Sequence, residues 1–394
     1  MANKSFVLHG INTVSFEDKP IPTLGPEDVL VLIKKTGICG SDVHFLTHGH
    51  IGDFWVRSPM VLGHESAGIV HSVGSGVTSV KPGDRVALEP GVTCRRCDAC
   101  KSGRYQLCNN IVFAATPPTD GTLARFYKVP QDLAYRLPEG LTLEDGAMME
   151  PLSVAVHAAH SISRVQAGQT VAVFGCGPVG LLCMSVSRVL GASRILAVDI
   201  QPSRLEFARG YAATDTFLPP PMLAGESRVA YSRRCAEGIC ELMGWSGDLV
   251  KGTGEGGADT VLEATGAETC IQTGVFVAKR AGVFTQIGMG AENATIPVTT
   301  ALVKELTIRG SFRYGVRASS FPLPFPCTPA NGLCGQYGDY PLAISFAAQH
   351  KIDLRPLVTH RFPFERAEEA FEATKNGKDA QGKWVIKTLI DGPE

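Results

Sequence analysis

The chain is 394 residues long, with 37 Lys and Arg against 38 Asp and Glu and a formal net charge of −1. That balance gives no electrostatic reason to expect nucleic acid or a membrane surface as partner. The length fits two domains better than one, and 44% hydrophobic residues supply ample core. No apolar run approaches the ~18–20 residues of a membrane-spanning helix, and the opening MANKSFVLHG has no apolar signal core, so the expected location is cytoplasmic.

The early part of the chain is rich in Gly, Pro and β-branched residues. Short strands are expected at Val29–Lys34, Ala67–Val73, Arg85–Leu88 and Leu123–Val129, separated by turns such as Lys81-Pro82-Gly83-Asp84. The texture changes after Pro151. A helix is expected over Leu152–His160, then a strand at Thr170–Phe174, a helix at Val179–Leu190 and a strand at Arg194–Val198. This rhythm implies βαβ units on a parallel sheet, and it continues through Thr260–Glu263, a helix near Cys270–Lys279 and Gly282–Ile287. Later elements, a helix at Pro341–Gln349 and strands near Leu357–Phe362 and Trp384–Leu389, lack the rhythm and read as returning to the first domain. The expected fold class is α/β. It combines a β-rich domain over 1–152 with a doubly wound parallel sheet over 153–311, and 312–394 goes back to the first domain.

Val316–Gln336 fits none of this, having four prolines, two cysteines and neither helical nor strand periodicity. Its Val316-Arg317, Ala330-Asn331 and Gln336 can be encoded by a 5′ splice site, a branch point and a 3′ splice site in that order. The segment therefore reads as a retained intron, the alternative being a genuine loop beside Arg313 and Tyr314.

Of twelve cysteines, four fall in Cys94-x2-Cys97-x2-Cys100-x7-Cys108. Clustered thiols in a chain read as cytosolic point to a metal rather than to disulfides, and four thiolates close a tetrahedral structural zinc site with no open position. A reactive-thiol role is the weaker alternative. Most other cysteines, such as Cys176, Cys183, Cys240 and Cys270, have apolar neighbours and read as small buried hydrophobes. A second donor set is sparser: Cys39 in GICGSDVH, then His64 and Glu65 in GHESAG. Thiolate, imidazole and carboxylate suit a zinc ion whose fourth position stays free for chemistry. His64 alone reads more readily as a hydrogen-bonded structural residue, and it gains weight from the company of Cys39 and Glu65. Glu150, in Met148-Met149-Glu150-Pro151, is a second candidate carboxylate.

The third motif is Gly175-x-Gly177-x-x-Gly180, placed after an apolar strand and opening a helix, with Asp199 closing the next strand. In that setting it is a dinucleotide fingerprint: the glycines admit a pyrophosphate to the helix N-terminus, and the acid takes the adenosine ribose hydroxyls. Asp199 favours NAD, while Arg204 keeps NADP open because an arginine there can accept a 2′-phosphate.

In this order, the GHE segment, the cysteine lobe and the glycine motif resemble the zinc-dependent medium-chain alcohol dehydrogenases. The segments PMVLGHESAG, KPGDRVALEPG, ATPPTDGTLARFYKVP, MEPLSVAVHA and SFRYG are similar to the sorbitol and xylitol dehydrogenases within that family. The resemblance implies a GroES-like catalytic domain, a catalytic zinc on Cys39, His64 and Glu65, and Glu150 beside the zinc-bound water or exchanging with Glu65. It implies a polyol site of Ser41, Phe54, Phe113, Thr116, Arg313 and Tyr314, and a cofactor site extending to Val179, Arg204, Ile287, Gly288 and Met289. It also implies two zinc ions per chain, NAD, and a homotetramer.

The expected reaction is oxidation of a polyol at C2 to a ketose, most simply xylitol to D-xylulose, with sorbitol or L-arabinitol as alternatives. Glu150, Ser41 and His44 would carry the proton away, although His44 reads equally well as a surface histidine. Arg313 would anchor distant hydroxyls. The four cysteines are retained here although some polyol dehydrogenases lack them. Phe45 stands where animal sorbitol dehydrogenases have Tyr, and Phe54 where arabinitol dehydrogenases tend to have Met. Two rival readings are a zinc-free reductase of the same fold and a non-enzymatic NAD-binding protein.

Overall fold

The computed structural model describes residues 2–246, 255–290, 292–315 and 338–394, so the proline-rich segment 316–336 lies outside the described residues. Two compact units form, one from Met1–Ser153 with Gly315–Glu394 and the other from Val154–Tyr314. Phe312, Arg313 and Tyr314, read from sequence as part of the returning segment, thus belong to the second unit.

The first unit is built on a mixed sheet. Its order is Ala134–Arg136, Arg85–Leu88, Glu65–Val73, Asp28–Gly37, Lys387–Asp391 and Val358–Phe362, with Phe126–Pro130 also paired to Asp28–Gly37. Lys387–Asp391 runs antiparallel to Lys35–Gly37, so the end of the chain lies beside the segment that leads into Cys39. The late strand begins at Lys387 rather than Trp384, which makes only an isolated bridge to Lys378. The helix Gly40–His48 follows directly. Phe45 on that helix is 4% exposed and packs with Ile38, Leu62, Leu123 and Phe371 in the apolar core, where its lack of a hydroxyl costs the fold nothing.

The second unit is an all-parallel six-stranded sheet ordered Asp215–Phe217, Arg194–Val198, Thr170–Phe174, Ala258–Glu263, Ala278–Gln286, Thr307–Gly310. The runs TVAVF and RILAV are buried on every residue but the first, as strands covered on both faces must be. The chain winds outward from Thr170–Phe174 in one direction and then returns to its other side at Ala258–Glu263. The strand order therefore reverses between those two, which is where ligands bind in open parallel sheets. The helix expected at Leu152–His160 starts earlier, at Met149, and passes into a π-helical stretch over His157–Ile162. The helix near Cys270 spans Glu268–Val277, and the next strand takes over at Ala278.

Candidate active site

The strand Asp28–Gly37 delivers Cys39 at the N-cap of helix Gly40–His48, and the turn before strand Glu65–Val73 delivers His64 and Glu65. The Cys39, His64 and Glu65 donor atoms all lie within 4.8 Å of one another. Asp42, fully buried, ties the two segments together. Its Oδ2 accepts from the Cys39 amide at 3.1 Å, its Oδ1 accepts from the Gly63 amide at 3.0 Å, and Oδ1 lies 3.3 Å from His64 Nδ1. Burial disfavours a charged imidazole, but Asp42 and then Cys39 outweigh it and raise the His64 pKa well above the ordinary value. An imidazole whose Nδ1 faces a carboxylate keeps Nε2 for a cation, the arrangement common to metal-binding histidines. Glu65 fits only because residue 37 is glycine: a Cβ there would stand 2.2 Å from Glu65 Oε2. Lys387 reaches the same carboxylate from the end of the chain and forms a buried ion pair with it, while its Nζ donates to the Ile38 carbonyl at 3.0 Å. The donor set and its burial fit a zinc ion with an open position.

The cysteine lobe is a separate site. Cys97 and Cys100 sulfurs are 3.5 Å apart and those of Cys94 and Cys100 are 3.9 Å apart. Sulfurs held ~2.3 Å from a tetrahedral zinc would be about 3.8 Å apart, so the thiols are already spaced for one. Backbone amides of Arg96 and Cys97 pull the Cys94 thiol down to about 6, towards the thiolate that a metal needs.

In the second unit each fingerprint glycine has a distinct physical role. Gly175 takes φ +94°; a Cβ on Gly180 would lie 1.8 Å from the Gly175 carbonyl; and a Cβ on Gly177 would meet nothing within 4 Å, so the approach to the helix N-terminus is open. Pro178 opens helix Pro178–Val189, with Val179 next and Gly177 as N-cap. Asp199 Oδ2 accepts from the Cys176 amide at 2.8 Å and its Oδ1 from the Gln201 amide at 2.9 Å, while Arg204 Nη1 is 4.0 Å away. These backbone contacts fix the carboxylate at the strand end. The cradle fits a dinucleotide.

Residues 25–139 match the alcohol dehydrogenase GroES-like domain and residues 178–323 the zinc-binding dehydrogenase domain. A probable D-xylulose reductase A of Aspergillus clavatus is 49% identical over 391 residues, covering 99% of this chain and 97% of that one. The D-xylulose reductase A of Aspergillus niger is 48% identical over the same shares. Among solved structures, L-idonate 5-dehydrogenase of Escherichia coli is 28% identical with a TM-score of 0.80 over 99% and 98% of the two chains. The 2R,3R-butanediol dehydrogenase of Bacillus subtilis is 26% identical with a TM-score of 0.77 over 100% of both. The chain belongs to the zinc-binding alcohol dehydrogenase family.

In this dehydrogenase the first unit is the GroES-like part and the second the Rossmann-type part. Ser41 is half-buried and His44 exposed, one turn apart on helix Gly40–His48. Phe113 is buried with its ring 5.8 Å from that of His64, and Thr116 donates its amide to the Phe113 carbonyl at 3.1 Å. Phe54 is 46% exposed and lines a shallow pocket of about 290 Å³ with Trp55, Arg57 and Pro117. Glu150 is buried, and its charge, like that of Glu65, bears on Tyr340 and Lys387. Arg313 takes φ +55° with its guanidinium over the Phe312 ring, and Tyr314 is buried. Ile287 and Gly288 are half-buried and Met289 exposed at the end of strand Ala278–Gln286. Asp42 and Lys387 were not singled out from sequence. For Asp42 a signal existed, an acid three residues into a helix whose N-cap is a ligand; for Lys387 there was none.

Glu89, buried beside the lobe, accepts hydroxyl hydrogen bonds from Tyr105 and, at 2.7 Å, from Tyr135. Burial pushes its pKa up to about 7 from an ordinary 4.5, against the pull of the two phenols. The stability linked to Glu89 is therefore full below pH about 4.5 and is lost as pH rises through about 7. Glu89→Gln is expected to flatten that fall. Urea midpoints at pH 5 and pH 8 should differ less in the variant than in the parent; an equal difference contradicts the assignment.

Proposed function

We propose that this chain is an NAD-linked, zinc-dependent polyol dehydrogenase that oxidises xylitol at C2 to D-xylulose. The observation that carries the reading is the convergence of the half-buried Cys39 with the buried His64 and Glu65, in a chain nearly half identical to D-xylulose reductases. When bound, zinc supplies a Lewis acid that lowers the pKa of the substrate hydroxyl, and NAD supplies the hydride acceptor. The chain's own residues do the rest. Asp42 fixes His64, and Gly37 and Lys387 fix Glu65. The hydroxyl proton passes to Ser41 and then, one helical turn on, to exposed His44 and solvent, with Glu150 as the neighbouring carboxylate. Phe113 and Phe54 give apolar walls, and Thr116 takes a further hydroxyl. Asp199, held by two backbone amides, accepts the ribose hydroxyls and disfavours a 2′-phosphate.

Relative kcat/KM on xylitol, sorbitol and L-arabinitol with NAD, with the ketose identified, tests this. D-xylulose from the best substrate supports it; a clear preference for sorbitol or L-arabinitol moves the assignment within the family.

The chain works as a homo-oligomer, a tetramer in this reading. Val298, Leu302 and Val303 on helix Val298–Val303 and Ile308 on the edge strand Thr307–Gly310 are 68, 71, 49 and 46% exposed, an apolar edge of the kind that pairs with another subunit. No helix among the described residues is long and apolar enough to cross a membrane. The free thiols of Cys183 and Cys235 agree with the reducing cytosol.

A further inference from the structure

At the carboxyl end of the central strand Ala258–Glu263 lies a carboxylate that the chemistry above does not use. Glu263 is fully buried, paired across the sheet with Phe174 on one side and Gln286 on the other. Its Oε1 accepts from the Thr265 amide at 2.9 Å and from the Thr265 hydroxyl; its Oε2 accepts from the Gly266 amide at 2.8 Å and from Gln286 Nε2 at 2.6 Å. All four of these donors are neutral, so the carboxylate is kept for its geometry rather than for an ion pair. Gln286 Nε2 also donates to the Gly288 carbonyl at 2.8 Å, and the Ile287 and Gly288 amides both donate to the Glu263 carbonyl at 2.8 Å.

Two loops are thereby locked to each other. They stack backbone against backbone: a Cβ on Gly266 would lie 2.4 Å from the Gly290 amide, one on Gly288 2.4 Å from the Gly266 amide, and one on Gly290 2.0 Å from the Gly266 carbonyl. The locked pair also reaches the phosphate turn, since a Cβ on Gly175 would stand 2.7 Å from Thr265 Cγ2.

Sheet order says which part of the cofactor this serves. Asp199 ends the strand on one side of Thr170–Phe174 and takes the adenosine ribose. A dinucleotide whose pyrophosphate sits at Gly175–Gly180 must then run its other half over the opposite side, above Glu263 and Ile287. We infer that Glu263 and Gln286 form a positioning clamp for the nicotinamide half of the cofactor, holding the turn Ile287–Met289 against the loop Ala264–Ala267. This rests on the NAD reading above.

The test uses the zinc-loaded enzyme and two variants, Gln286→Leu at a half-buried position and Glu263→Gln. NADH is titrated by its fluorescence and ADP-ribose by calorimetry. If the parent fails to bind NADH, the NAD reading itself falls. If it binds, each variant should raise the NADH Kd about tenfold or more while leaving the ADP-ribose Kd within about twofold, because Asp199 and the glycine turn keep their partners. KM for NAD should rise with the NADH Kd, and the reciprocal double variant E263Q/Q286E should recover part of the loss. Equal weakening of NADH and ADP-ribose, or no weakening of either, overturns the clamp and leaves Glu263 a support of the sheet.

Discussion

Replacing Cys39 with serine is expected to cut NADH formation from a polyol by more than about a hundredfold and to leave one zinc per chain instead of two. A serine hydroxyl does not ionise near neutral pH, so the set loses the anionic sulfur that a zinc ion seeks, while Cys94, Cys97, Cys100 and Cys108 keep theirs. The fall should exceed that from Asp42→Asn. That change leaves all three donors in place but weakens the carboxylate that orients His64, and loss of such an outer partner typically costs ~10–100-fold. Metal analysis beside initial rates checks both. Two zinc ions retained in the Cys39→Ser protein would move the catalytic metal elsewhere.

The second large effect is expected at Lys387. Its side chain is 3% exposed, and burial works to discharge it, but the adjacent Glu65 and Cys39 outweigh this and raise its pKa. Lys387→Met leaves the Glu65 carboxylate buried without its cation, a loss of about 3–5 kcal/mol. In the metal-free protein that corresponds to a Tm lower by roughly 4–6 °C. With zinc bound, a cation again faces Glu65 and most of the deficit should vanish. Thermal denaturation of parent and variant, each with and without chelator, gives the answer: a deficit of the same size in both states would mean that Lys387 supports the strand rather than the metal-binding carboxylate.

The parts of the fold that were legible in the sequence are those whose signal is local. Thr170–Phe174 and Arg194–Val198 have the bounds read for them because short apolar runs between glycines and turn residues have few other uses. The four thiols and the fingerprint glycines are likewise local, and the structure brings each set together. Helix Gly40–His48 is hard to see in the sequence, since GSDVHFLTH carries no continuous apolar stripe and turns helical on the strength of its cap at Cys39 and Asp42. Helices Pro202–Tyr211 and Arg228–Met243 have no strong sequence signal either, being polar on most of their surface. The last strand was placed too early because Trp384 and Val385 look as strand-like as the residues that follow. The Lys387–Glu65 and Glu263–Gln286 pairs were beyond local reading altogether. A lysine opening one short strand and a glutamate closing another look ordinary until the sheet brings their partners alongside.

What bears most directly on the account is a zinc titration of chelator-treated protein in which only the cysteine lobe still holds metal, with NAD and xylitol present and NADH and bound zinc measured together. The account predicts no NADH at the start and full recovery on uptake of one further zinc per chain, a recovery absent from the Cys39→Ser variant. Full NADH formation before that zinc is taken up would contradict it.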